Sequence, residues 1–258
     1  MVTASVSSSA IELVVLLRGT EPEGLGRPEQ VAHQLETAIM MGILADGDRL
    51  PPESELASAL GISLQTLRQS LAALRTKGLI ETSRGRSGGS VVRGLPEVSG
   101  TQMQRKLRTT STEDLRDLGD LSAAVSSMSA QLAAERADEE NFAYLESLAQ
   151  GYRDSADPQT RRRRDGLFHL TIGVAAQSSR LTGAMLQVQA ELSTLLWVGN
   201  DQEDVIAEAV RQHADILEAI SRRDGVAAAA AAALHSRTEA QLLISRRLKL
   251  MLDSSEVI

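Results

Sequence analysis

Three histidines and one aspartate are the side chains of this sequence best equipped for chemistry. Asp165 and His169 stand four residues apart in "DGLFH", the spacing of two groups on one face of a helix. His213 and His235 flank the break Asp224–Gly225, one lying 11 residues before it and the other 10 after. In an antiparallel helical hairpin each then stands about 16 Å from the turn, level with the other. Three neutral imidazoles and a carboxylate suit a divalent metal ion, Zn, Ni, Mn or Fe, with positions left for water or a ligand oxygen. A single histidine on a helix is usually a core or surface residue, as His33 is expected to be; the joint placement makes this set specific.

Just ahead of Asp165, "RRRR" (Arg161 to Arg164) looks like a phosphate grip. The expectation is a solvated helix start, partly paired with Asp154 and Asp157, with Arg164 placed to reach toward a pocket.

Such groups need a scaffold, and the composition describes it. The chain has 258 residues and is 42% hydrophobic, with only five Phe, Trp and Tyr residues. Abundant Ala, Leu and Arg favour helices, so little sheet is expected. With no cysteine there is no disulfide framework and no thiolate metal site. The run "IELVVLLRG" is too short for a bilayer and lacks a basic lead-in, which predicts no membrane partner and a cytoplasmic protein. Net charge is −7, against a uniformly basic nucleic-acid binder. Between Gly61 and Leu95, however, six basic residues face one acid.

Residues 1–26 read as a loosely held arm. Helical periodicity begins in "RPEQVAHQLETAIMMGIL", with Val31, Leu35, Ile39 and Ile43 on one stripe. "ADGDRLPP" turns the chain, "ESELASALG" is a short helix stopped by Gly61, and "SLQTLRQSLAALRTKG" is a second with Ser63 as N-cap. "LIETS" and "GSVVR" flank the loop "RGRSGG" as two strands of a ribbon. Residues 95–111 read as linker, 112–250 as long helices with short connections, an antiparallel bundle, and 251–258 as a tail. The fold class is mainly α: an N-terminal winged helix-turn-helix (27–94) with a small β-wing, and a C-terminal all-α bundle. The alanine run "VAAAAAAALH" predicts close helix packing.

The winged helix suits double-stranded DNA. A slim second helix enters the major groove, its first turn carrying Ser63, Gln65, Thr66 and Arg68. The wing "SRGRSGG", with Arg84, Arg86 and Gly88, reaches a neighbouring backbone or groove. The segment "AHQLETAIMMGILADGDRLPPESELASALGISLQTLRQSLAALRTKGLIETSRGRSGGSVV" resembles the winged-helix domain of the GntR family of bacterial transcription regulators. Its "GDRLPPESELA" turn, "LGIS" corner, "LR.SL..L...GLI" helix and Gly-rich wing come in the family's order. The resemblance implies that the positions of Ser63, Gln65, Thr66, Arg68 and the wing glycines approach DNA. Family members usually carry arginine where this chain has Ser54 and Leu64.

From 112 to 250 the chain resembles the FadR-type C-terminal ligand-binding domain of one GntR subfamily, through "DGLFH", "HADILEAISRRDG" and "ALHSR". That resemblance implies a metal site at Asp165, His169, His213 and His235, a small effector, often a carboxylate, and a homodimer. The subfamily's arginine and glutamate on the first bundle helix are replaced by Ser122 and Ser126, so a larger, less charged or serine-contacted effector is an alternative. The expected function is a ligand-responsive regulator of the repressor kind, its dimer reading a two-fold operator. A metal-dependent enzyme using the same site, or a regulator with a metal-free pocket, are the competing readings.

Overall fold

The computed structural model describes residues 24–83, 89–93, 100–192, 195–196 and 202–253, together with residues 11, 14 and 15. The chain divides into two compact units, Met1–Glu97 and Val98–Ile258.

In the first unit, α1 (Arg27–Met40) opens on Pro28, tolerated because first-turn N–H groups have no helical partner. Its buried stripe holds Val31, Leu35, Ala38 and Ile39. After α2 (Glu53–Ala59) the chain turns through Gly61 at φ +61°, a left-handed conformation that a side chain would strain. Ser63 then caps α3 (Leu64–Thr76), its Oγ accepting the Thr66 N–H at 3.1 Å. Leu67, Leu71 and Leu74 bury one face of α3, and Ser70 Oγ donates to Pro28 O at 2.8 Å, tying α3 to α1. Gly78, at φ +73°, ends that turn. Strands β1 (Ile80–Ser83) and β2 (Gly89–Val92) pair antiparallel, Ile80 opposite Val92 and Ser83 opposite Gly89, and Arg49 bridges to Val91 as a third, single-residue rung. The wing residues Arg84, Arg86 and Gly88 lie outside the described residues.

The arm expected over 1–26 differs where it is described. Ile11 and Val14 are buried, and Gln34 Nε2 donates to Val14 O at 2.5 Å. At its described positions the apolar run that is too short for a membrane is tied to α1 through Gln34.

The second unit is helical throughout its described residues: α4 (Gly100–Thr109), α5 (Thr112–Arg136), α6 (Glu139–Asp154), α7 (Pro158–Ala175), α8 (Ser179–Leu192), α9 (Glu203–Ser221) and α10 (Gly225–Leu252). A capping box at Ser111 and Asp114 starts α5, satisfying two of its end N–H groups. Its long antiparallel partner is α10. A Cβ on Gly119 would come within 2.4 Å of Ala240 Cβ, and one on Gly225 within 3.1 Å of Gln131 Cγ. Along the same seam Ala130, Ala133 and Ala134 share a core with Ala228 and Ala232, which is what the alanine run provides: close approach of two backbones. Phe168, Ile172, Leu145, Leu148, Ile216 and Ile220 complete that core. Burying Phe168 completely contributes about 1.5–3 kcal/mol. A second cluster joins Leu107, Leu115, Val188, Leu192 and Leu243.

That second cluster corrects the linker. Residues 100–109, expected within the segment 95–111, form α4, and Leu107 is fully buried beside Leu115 and Leu243. A polar, basic stretch with one well-placed leucine becomes helical when that leucine has a core to enter. Helix α10 likewise runs to Leu252, past the residue 251 at which a tail was expected.

Candidate metal centre and DNA-facing helix

Helix α7 carries Asp165 and His169, α9 carries His213, and α10 carries His235, and the bundle brings all four together in its interior. His169 and His235 are stacked, with Nε2 atoms 3.1 Å apart. The ring centroid of His213 is 4.9 Å from that of His235 and 5.4 Å from that of His169. Asp165 Oδ1 is 3.5 Å from His213 Nε2 and 4.0 Å from His169 Nε2. Phe168 and Tyr152 wall the His213 ring at 4.4 and 5.0 Å between centroids.

A fifth group, Glu239, was not foreseen. Its Oε1 lies 3.5 Å from His235 Nε2, and one ligand atom each from Asp165, His169 and Glu239 fall within 4.8 Å of one another. The signal was present in the sequence: Glu239 follows His235 by four residues, the same interval that joins Asp165 to His169. Gln212 was also missed. Its Nε2 donates to Glu208 Oε1 (2.6 Å) and Thr238 Oγ1 (3.1 Å), so its Oε1 is the acceptor for His235 Nδ1–H at 2.7 Å. This network fixes the tautomer. The Nε2 lone pair of His235 therefore points at the cluster.

Burial sets the protonation of the site. It pushes Asp165 up to about 7 and Glu239 well above the usual carboxylate range, the latter with help from Asp165. It pulls His235 down to about 4, and His169 and His213 well below the usual imidazole range, where neighbouring histidines add to the effect. Neutral imidazoles are the form that ligates metal. Both ring nitrogens of His213 and Oε2 of Glu239 are buried with no hydrogen-bond partner. A buried polar atom without a partner is costly, and a cation among these groups would satisfy one ring nitrogen of His213 and the Glu239 carboxylate. The donor set thus fits a divalent ion.

A cavity of about 250 Å³ opens beside the cluster. Asp165, His235 and Glu239 form one wall, and Tyr152, Leu196, Val205 and Leu242 contribute to the rest. The expected pocket residues do not line this particular cavity. Ser122 and Ser126 are buried on α5 with partnerless hydroxyls and are not among the lining residues. Arg164 is not among them either; its Nε would be 3.0 Å from a Cβ on Gly151 of α6. The arginine run is less solvated than expected. Arg161 is buried and donates to the carbonyls of Tyr152 and Ser155, and burial pulls Arg162 down to about 10. These side chains close the α6–α7 corner.

In the first unit the turn at the start of α3 is open to solvent. Ser63, Gln65 and Arg68 are exposed, and Thr66 is half-buried. Ser63 and Thr66 hydroxyls are 2.9 Å apart, and Arg68 Nε is 2.7 Å from Glu53 Oε2. The basic surplus of this unit is smaller than the window around α3 indicates. Lys77 pairs with Glu36 and Arg93 with Glu81, and from Arg27 to Arg93 the chain has eight basic and seven acidic residues.

Comparison with known proteins places both units. Residues 27–89 match the family described as bacterial regulatory proteins, gntR family, and residues 117–238 match the FCD domain. The chain is 34% identical over 198 residues to RmpR of Mycobacterium gastri, named as a candidate HTH-type transcriptional regulator, covering 76% of this chain and 72% of that one. It is 32% identical over 224 residues to the Glc operon transcriptional activator of Escherichia coli K12, covering 81% and 86%. Among solved structures it is similar to E. coli McbR/YncC, with a TM-score of 0.51, 18% identity, and 86% of this chain and 99% of that one covered.

Proposed function

Since the chain belongs to the GntR family of bacterial regulators and carries an FCD domain, we propose that its DNA binding is controlled by a small effector at a metal-bearing cavity. That it is a DNA-binding transcription regulator, and not an enzyme, follows from the family. Among its described residues no helix is long and apolar enough to cross a membrane. The finer reading has three parts.

At the DNA, the first turn of α3 enters the major groove with Ser63, Gln65, Thr66 and Arg68, and the wing residues Arg84, Arg86 and Gly88 contact the flanking backbone. One such helix reads too few base pairs for genomic specificity, so the active form is a homodimer on a two-fold operator. At the bundle, Asp165, His169, His213 and His235 hold a divalent ion, which when bound supplies a Lewis-acidic centre for an oxygen-donor ligand. The convergence of these four buried groups beside a cavity carries this part. The buried hydroxyls of Ser122 and Ser126, and Arg164, are further candidates for the effector's surroundings.

Control needs an effector that binds DNA-competent and DNA-incompetent arrangements with different affinity; one that binds both equally shifts nothing. Gel-shift titration with genomic fragments flanking the protein's own gene tests the operator. A salt-sensitive, sequence-selective shift is expected. A shift equal on all fragments overturns the operator reading. Metal analysis of protein purified without an affinity tag tests the second part, with about one equivalent of divalent ion expected.

A further inference from the structure

Four donors of the metal cluster were legible as a set, and the fifth changes what the cavity can accept. Glu239 sits on the cavity wall with Asp165 and His235, whereas His169 and His213 are not among the lining residues. Its Oε1 is 3.5 Å from His235 Nε2, and its Oε2 is buried without a partner. We propose that Glu239 is a fifth metal donor, on the cavity side of the cluster, that neutralises the ion and closes the site to carboxylate effectors. The inference rests on the metal-site reading above.

Charge and the cavity lining support it independently. Three neutral imidazoles and Asp165 leave a divalent ion with one net positive charge, an attraction for an acid. Adding the Glu239 carboxylate removes it. The rest of the lining offers an acid no opposite charge: Asp204 and Glu208 join Asp165 and Glu239, and no lysine or arginine is among the described lining residues. An incoming carboxylate would meet like charges in a partly desolvated space, where their repulsion is stronger than in water. The complementary ligand bears hydrogen-bond donors, hydroxyl or ammonium, with an apolar part against Leu196, Val205 and Leu242, and no acid group.

The test loads the full chain with Co2+ and reads its visible spectrum and its affinity by chelator competition. Wild-type protein is expected to bind one Co2+ with a spectrum unchanged by acetate. Glu239→Gln should weaken Co2+ binding by at least roughly tenfold, since loss of even an outer-shell partner costs about that much, and Glu239→Ala should acquire an acetate-dependent spectrum as acetate takes the vacated position. Wild-type affinity and spectrum in both variants would overturn the assignment of Glu239. So would an acetate response in the wild type as large as in Glu239→Ala, an arm that needs no variant to fold. If the wild type takes up no Co2+, the metal-site reading itself fails; if it binds Co2+ and only the Glu239 arms fail, that reading stands and this inference falls.

Discussion

The winged helix presents its candidate groups Ser63, Gln65, Thr66 and Arg68 at the start of one helix, facing water. The bundle gathers its own from three helices, between Asp165 and Glu239, in the interior beside a cavity. In the first region the charged pairs are exposed, as in Arg68–Glu53, whose side chains are 66% and 38% exposed, and such pairs are worth little to stability. In the second, each of the five clustered groups is displaced from its ordinary protonation range by burial. Specificity at the surface is a matter of which atoms are offered, and in the interior of which charge states the fold permits. Substitutions should therefore behave differently in the two places.

The largest effect is expected at the cluster. His213→Ala or His235→Ala should abolish stoichiometric metal binding and with it the thermal stabilisation by added metal. Saturation at a hundredfold excess over Kd stabilises by about 2.7 kcal/mol, so scanning calorimetry with and without Zn2+ reads the difference. If either variant keeps its metal, the contrast between the regions collapses at its strongest point.

Next comes the packing that positions those histidines. Gly119→Val should destabilise the second unit by about 1–3 kcal/mol through overpacking against Ala240, measured by denaturant unfolding, while DNA-side substitutions leave that transition in place.

The dependence on pH sharpens the comparison further. His235, held at about 4 against an ordinary value of 6.5, contributes stability that is complete above 6.5 and lost as pH falls toward 4. Asp165, held at about 7 against 3.8, works with the opposite sign: its burial is unfavourable above 7, and that penalty is relieved as pH falls to 3.8. In the metal-free protein the two oppose each other between about 4 and 6.5. Metal requires neutral imidazole and ionised carboxylate together, so the rise in Tm on adding Zn2+ should be greatest near pH 8 and vanish toward pH 5. A rise independent of pH would mean that the ion binds outside the cluster.

The smallest effect on stability belongs to Arg68→Ala, less than about 1 kcal/mol. Operator affinity is where it should register, with the slope of log affinity against log salt reduced by about one. Loss of affinity without a change of slope would assign Arg68 to base reading alone.

Most of the architecture was legible in the sequence because local signals carry it. Ser63 caps its helix, Gly61 and Gly78 bound α3, and the interval between His213 and His235 places them level across a hairpin. What escaped depends on tertiary partners. Leu107 makes a helix of a linker only because Leu115 and Leu243 wait for it. The basic window around α3 is partly cancelled by Glu36 and Glu53, which lie outside it. Arg161 enters the interior because the carbonyls of Tyr152 and Ser155 receive it. Glu239 follows His235 in "HSRTEAQ" at the interval that joins Asp165 to His169, but that interval alone does not tell a buried glutamate from a solvated one until the helix is docked. The site's imidazoles announce themselves by rarity; its second carboxylate is one acidic residue among 34.

The hydrogen-bond chain Glu208–Gln212–His235 also has a consequence in time. Turning the His235 ring over would aim its N–H at the cluster and abandon Gln212, so the ring is latched in its ligating orientation. An ion released from the centre leaves behind a site that keeps its shape. Reloading then needs no search through ring orientations, while escape must break several bonds at once. On the metal-site proposal, the latch would let the ion leave and return without disturbing the His235 ring, so effector traffic through the cavity need not rebuild the site.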